Sequence, residues 1–347
     1  MTIRIAVIGA GIMGADHARI IAADLPGATL QVVCDAAAPR ARAIADETGA
    51  ADTATDPLAT ILRPDVDAVL IASPDDSHAA LTIAAVQAGK PVLCEKPLAP
   101  RSDDCLRVIA AEIAAGRPLI QIGFMRRFDP SYTAMKAALA AGQIGAALMM
   151  HCFHRNVAAP GNFTGQMAIS NSAPHEFDAA RFVLDSDIAA ISVFRPQVTG
   201  PGGPVFMVLE TGAGQLVNVE VNNNAAYGYD VRGELVGTTG SVHLRAPVHS
   251  ELHAALSRQL AYPADWRPRF AEAYRLQNRA WLRAIQTGIR SPIAATAWDG
   301  YCATLVAEAG VAALEAGHRV VLAPVARPDF YDAICDRGGV ISDGSAR

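Results

Sequence analysis

The chain has 347 residues, enough for two domains or for one domain with a large insertion. Hydrophobic residues make up 51% and charged residues 18%, the balance of a globular chain with a sizeable core, and no apolar run approaches the length of a membrane span. The net charge of −5, without a long Lys/Arg cluster, argues against a nucleic-acid face; Arg126-Arg127 is only two charges and on its own reads as a solvated loop.

In chain order, the first signal is IRIAVIGAGIMG from Ile3 to Gly14. A short apolar run leads into Gly9, Gly11 and Gly14 in a G-x-G-x-x-G pattern. A helix-compatible run follows, and a second apolar run ends at Asp35, 21 residues after Gly14. Strand, glycine turn, helix and acid in this register predict a dinucleotide site. The first glycine permits the tight turn, the second lets a pyrophosphate approach, and the third lets helix pack on strand. The phosphates would sit on the amides of Gly11, Ile12, Met13 and Gly14, at the positive end of the helix. Asp35 would accept hydrogen bonds from the adenosine ribose and repel a 2′-phosphate, which favours NAD over NADP. Arg40, five residues on, partly offsets that repulsion.

Strands are expected at 3–8, 29–34, 67–72, 91–94 and 119–122, with helices at 12–24, 38–48, 76–89 and 101–115. Their alternation predicts an α/β Rossmann domain over 1–123, a doubly wound parallel sheet. Gly89 and Gly116 stand where helices should stop. After 123 the rhythm changes to a helix at 130–141, a strand at 146–155 and a helix at 174–184. Strands at 188–195, 204–211, 215–223, 229–237 and 240–245 follow, with turn signals at 211–215 and 238–240. This predicts an α+β domain over 124–334 with a large, mostly antiparallel sheet. Helical sequence at about 264–316, broken near Gly288 to Pro292, belongs to it, and a polar tail at 335–347 should be loosely held. The six cysteines are scattered without C-x-x-C pairs, and no leader segment is visible, so the expectation is a cytoplasmic protein with reduced core thiols.

Three places carry groups suited to chemistry. Lys96 follows the strand at 91–94, at the carboxyl edge where the nicotinamide half of a dinucleotide should lie; alone, it could equally be a surface lysine. His175 opens a helix behind Pro174, where the dipole disfavours its protonated form, so a neutral general base is one reading and an ordinary core or surface histidine the other. In the strand at 146–155, alternation puts Cys152, His154 and Asn156 on one face and His151, Phe153 and Arg155 on the other. A metal shared by Cys152, His154 and His175 is the weaker reading, since no further ligand is evident. H-E-x-x-H chemistry fails because Ala179 stands where the second histidine is needed.

With Gly9 to Gly14, Asp35, E-K-P at 95–97 and H-E-F-D at 175–178, the chain resembles the Gfo/Idh/MocA oxidoreductases nearly end to end. The stretches GFMRRFDPSY (123–132), HCFHRN (151–156), HEFDAARF (175–182), YGYDVRGELVG (227–237) and TAWDGY (296–301) look most like its inositol 2-dehydrogenase branch. The resemblance implies NAD-linked oxidation of a ring hydroxyl on a cyclitol or sugar, without a metal, in a homotetramer built on the outer sheet face. It implies Lys96 as the active-site lysine, His175 as the base, and Arg126, His154, Asn156 and Tyr229 as contacts to a small-molecule polyol. Ser73 and His78 match the loop along the nicotinamide ribose, and Glu95 belongs with Lys96 in the cofactor set. One departure stands out: these enzymes usually carry aspartate four residues before the histidine, and here it is Asn171. Asparagine can hydrogen-bond a hydroxyl but adds no charge to raise the histidine's basicity. A sugar dehydrogenase and a non-catalytic NAD-binding sensor are therefore the alternatives to an inositol enzyme.

Overall fold

A computed structural model describes residues 2–197, 202–245 and 251–336. The chain forms two compact units: one takes residues up to Met125, 274–304 and from Val325 on, the other 126–273 and 305–324.

In the first unit the apolar runs become parallel strands because each is buried on both faces. The order along the chain is β1 (Ile3–Ile8), α1 (Ile12–Asp24), β2 (Ala28–Cys34), α2 (Ala38–Thr48), β3 (Asp52–Ala54), α3 (Pro57–Ile61), β4 (Ala68–Ile71), α4 (His78–Gln87), β5 (Val92–Cys94), α5 (Ser102–Ala115) and β6 (Ile120–Ile122). The sheet runs β3-β2-β1-β4-β5-β6, with its strand order reversing beside β1. This is the doubly wound α/β sheet expected. Gly89 and Gly116 adopt φ of 69° and 65°, the left-handed stops expected after α4 and α5. The sequence reading passed over β3 and α3. Both are short: β3 is a three-residue edge strand without an apolar run, and α3 is one turn whose start is capped by the Asp56 carboxylate.

In the second unit come α6 (Pro130–Ala140), β7 (Ala147–Arg155), the short α7 (Gly165–Met167), a π-helical turn at Ala168–Ser172, and α8 (Pro174–Leu184). Along the chain there follow β8 (Ile188–Phe194), β9 (Val205–Thr211), β10 (Leu216–Asn222), β11 (Asp230–Gly237), β12 (Ser241–His243), a hairpin of β13 (Leu252–Ala254) and β14 (Ser257–Gln259), α9 (Trp266–Thr287), α10 (Ala297–Ala316), β15 (Val320–Val321) and α11 (Asp329–Asp336), of which α11 and the parts of α9 and α10 within 274–304 count with the first unit. The large sheet runs β12-β11-β7-β10-β9-β8-β15; β7 and β10 are parallel and the other pairs antiparallel. The turns at 211–215 and 238–240 close as expected, through Thr211 to Gln215 and Gly237 to Gly240 backbone bonds.

The division differs from the expected 1–123 and 124–334 in one respect. Residues 274–304 count with the first unit, where Trp281 and Leu282 of α9 join the buried cluster of Ile5, Val7, Ile21 and Val33. A helical pattern shows that a face is apolar, not which core it meets. The segment after α9 is tied down likewise: Arg290 donates to the Ile120 carbonyl at 2.7 Å, and Ile122 donates to that of Ala295. Most of the expected tail at 335–347 lies outside the described residues; Cys335 and Asp336 end α11.

Candidate active site

The first unit assembles the glycine turn from backbone constraints. Gly9 has φ of 96°, and a Cβ there would run into the Ala72 carbonyl; at Gly14 it would run into the Gly9 carbonyl. These two glycines close the turn. Gly11 differs: nothing lies within 4 Å of its Cβ position, so its missing side chain keeps open the approach to the first turn of α1. Ile12 and Met13 begin that helix, whose first amides point out as an anion seat. The Asp35 carboxylate accepts from the Ala10 and Ala37 amides, both at 2.8 Å, and from Arg40 at 3.4 Å. Burial works against its charge, but the two amides and Arg40 outweigh it and hold the carboxyl below its usual range. An ionised acceptor is thus fixed at the end of β2. These residues fit a dinucleotide.

Beyond β4 and β5 the structure separates residues that the sequence reading grouped. Ser73 Oγ bonds Ser77 Oγ at 2.6 Å. His78 is buried, and both ring nitrogens meet backbone carbonyls, Nδ1 with Pro97 at 2.7 Å and Nε2 with Ser73 at 2.8 Å. Burial opposes a charge there, yet Cys94 and the two carbonyls favour it and push the ring up to about 10. Its side chain ties two loops together instead of facing out of them. Glu95 is also spent internally. Oε1 pairs with His17 Nε2 at 2.9 Å, Asn278 Nδ2 reaches His17 Nδ1 at 2.9 Å, and Oε2 accepts the Lys96 amide at 3.2 Å. Gly123 makes room for this carboxylate, since a Cβ would lie 2.8 Å from it. His17 and Asn278, absent from the sequence reading, therefore hold the backbone of Lys96. Lys96 is half-buried and its bond to Pro97 is cis.

The second unit gathers a line of polar side chains. The alternation expected in β7 holds: Met150, Cys152 and His154 are buried on one face, while His151 meets Asn218 and Arg155 meets Glu220 on the other. Arg126 and Arg127 correct the solvated-loop reading, for both are buried. Arg127 grips Asp178 with Nε at 2.9 Å and Nη2 at 2.6 Å. Arg126 pairs with Glu176, lies 5.4 Å from the Phe270 ring centre, and donates to Tyr132 Oη at 3.4 Å. Glu176 also meets His154 Nδ1 at 3.0 Å. Burial alone would raise the Glu176 carboxyl, but Arg126 and His154 reverse this and hold it at about 2.

Tyr229 packs edge-on to His154 at 6.3 Å, and burial pushes its phenol up. Asn156 reaches His154 Nε2 at 3.4 Å and also bonds Asn223, whose Oδ1 accepts from Ser172 Oγ at 3.2 Å. Ser172 closes the π-helical turn that carries the exposed Asn171, and His175 follows one residue into α8. Such turns recur at functional sites. Arg126, His154, Asn156 and Tyr229 are thus brought together, and Ser172 and Asn223 join them to the segment bearing Asn171 and His175. Glu176, Asn223 and Ser172 had no assigned role. The signals were present, as the acid beside His175 and the Asn222-Asn223-Asn224 run ending β10. Among the described residues no group of three His, Cys, Asp or Glu side chains could hold a metal ion.

Comparison with known proteins is consistent with this geometry. Residues 3–124 match the model of an oxidoreductase family with an NAD-binding Rossmann fold, and 132–243 match the GFO/IDH/MocA C-terminal domain. Inositol 2-dehydrogenase 1 of Saccharopolyspora erythraea is 48% identical, over 95% of this chain and 99% of that one. Inositol 2-dehydrogenase of Pseudomonas syringae is 38% identical, over 95% and 100%. The crystal structure of myo-inositol dehydrogenase from Lactobacillus casei, in complex with NAD(H) and myo-inositol, superposes with a TM-score of 0.91 at 29% identity, covering 95% of this chain and all of that one.

Proposed function

The chain belongs to the Gfo/Idh/MocA oxidoreductases, and from that premise we propose that it oxidises a ring hydroxyl of a cyclitol, myo-inositol or a close relative, to a ketone with NAD⁺. The observation that carries this reading is the polar line Arg126–Glu176–His154–Asn156–Asn223–Ser172, which leads to His175 in a chain matching inositol 2-dehydrogenases over nearly its whole length. A ligand with an oxygen on every ring carbon suits such a row of donors and acceptors.

NAD, when bound on the glycine turn and Asp35, supplies the acceptor for the carbinol hydride. His175 takes the hydroxyl proton, and the Lys96 ammonium stabilises the oxygen as negative charge develops on it. Asn171 orients a neighbouring hydroxyl, and His154, Asn156 and Tyr229, with Arg126 behind them, read the rest of the ring. Lys96→Ala and His175→Ala should each lower kcat by about 10²–10⁴-fold while NAD⁺ affinity, read by fluorescence titration, survives. Full activity in either variant sinks the assignment.

Asn171 supports a second reading within the same chemistry, a monosaccharide or anhydrosugar substrate, because it removes a charge that inositol enzymes of this family usually carry. NADH formation at 340 nm across inositol isomers and sugars, with NAD⁺ and with NADP⁺, decides between them. NAD⁺ binding without turnover of any of these would favour a sensor. The homotetramer belongs to this proposal too: Met149, Phe194, Phe206 and Leu216 are exposed on the outer sheet face, as an interface would require. Sedimentation velocity tests it. A cytoplasmic setting suits Cys34, Cys94, Cys105, Cys152 and Cys302, which are buried thiols and not disulfides.

A further inference from the structure

Glu176 is a buried anion for which the proposed reaction has no direct use. Its two oxygens have different partners, Oε1 with Arg126 and Oε2 with His154 Nδ1 at 3.0 Å. An Arg126 N–H also comes within 3.3 Å of the same Nδ1. If Nδ1 held a lone pair, that lone pair would face a carboxylate oxygen. If it holds the proton, it donates to an anion at the shorter of the two distances. The carboxylate therefore selects Nδ1–H, as the outer partners of metal-bound histidines do. The other side of the ring agrees. Asn156 points its amide nitrogen both at Asn223 Oδ1 and at His154 Nε2, which matches Nε2 as an acceptor.

We propose that Glu176 is a positioning residue that locks the His154 ring as Nδ1–H, so that Nε2 is an acceptor whose long 3.4 Å contact from Asn156 gives way to a substrate hydroxyl on binding. His154 is then a specificity device. It demands an O–H donor at one ring position and rejects a group there that can only accept. In Glu176→Gln the amide oxygen turns to Arg126, the amide nitrogen faces Nδ1, and the ring switches to Nε2–H, a donor.

The inference rests on the polyol reading of His154, and two measurements keep the two apart. The first is solid-state NMR of the full-length protein with NAD⁺ bound and ring-¹⁵N-labelled histidine, the His154 signals being assigned by their loss in His154→Gln. The expected result is a protonated Nδ1 and a bare Nε2 in the unaltered chain, reversed in Glu176→Gln. A protonated Nε2 in the unaltered chain overturns the proposal, and that result does not depend on Glu176→Gln folding. The second is inhibition by monodeoxyfluoro-myo-inositols, where fluorine replaces one hydroxyl donor at a time. At one position the penalty for fluorine should be about tenfold or more in the unaltered enzyme and largely vanish in Glu176→Gln. A penalty unchanged by the substitution counts against it. If the chain turns over no cyclitol, the functional reading falls while the NMR result still decides the tautomer. If it does turn over cyclitols with Nε2–H, only this inference falls.

Discussion

Glu112 and Glu176 are each 1% exposed, one in each unit, and their surroundings treat the same side chain in opposite ways. Around Glu112 the donors are neutral: the Ile120 amide at 2.7 Å and Tyr331 Oη at 2.7 Å. Burial dominates there and raises the carboxyl above its usual range, against these bonds and the field of Arg290. Around Glu176 stand a guanidinium and an imidazole, and the carboxyl is held at about 2. Neutral hydrogen bonds satisfy a buried acid without requiring its charge. A charged partner requires it, and then neither ion can be removed alone. The first arrangement fastens α11 to α5; the second orients side chains that would read a ligand.

The largest expected effect follows from that asymmetry. Glu176→Gln leaves Arg126 buried without its counter-ion and should cost about 3–5 kcal/mol in urea unfolding. Glu112→Gln should be near neutral or stabilising at pH 7, because the glutamine oxygen can accept from Ile120 and its amide can donate to Tyr331. Equal losses in the two variants would break the comparison.

The pH dependence sharpens it. The Glu176 carboxyl sits at about 2 in the folded chain against an ordinary value of 4.5, so the folded state binds fewer protons between them. Its stabilisation is complete above 4.5 and is lost as pH falls toward about 2. Glu112 has the opposite sign. Its folded carboxyl is raised, so it takes stability away as pH rises through 4.5 and restores it on acidification. Acid titration of stability should therefore flatten in Glu176→Gln, and in Glu112→Gln should fall more steeply than in the unaltered chain. The smallest effect is Tyr331→Phe, which removes one neutral bond to Glu112 and should cost about 1 kcal/mol by thermal unfolding, leaving NAD⁺ affinity unchanged.

The glycine turn, Asp35 and the parallel α/β alternation were legible in the amino acids, because each depends on neighbours a few residues apart whose backbone geometry or apolar period leaves few alternatives. The alternation of β7 was legible for the same reason, and it placed Cys152, His154 and Asn156 on one face. The pairings were not. Arg126 and Glu176 lie 50 residues apart, His17 and Asn278 lie 261 apart, and the return of Trp281 to the first core reverses a domain assignment. Spacing cannot show which distant group cancels the cost of burying a charge, since that cost depends on what surrounds it after folding. The sequence by itself determined the seat for a dinucleotide and the identities of Lys96, His175 and Asn171. Only the tertiary structure decided that Arg126 is a buried ion held by Glu176, that Glu95 and His78 brace loops, and that Asn223 and Ser172 join the polar strand face to the start of α8.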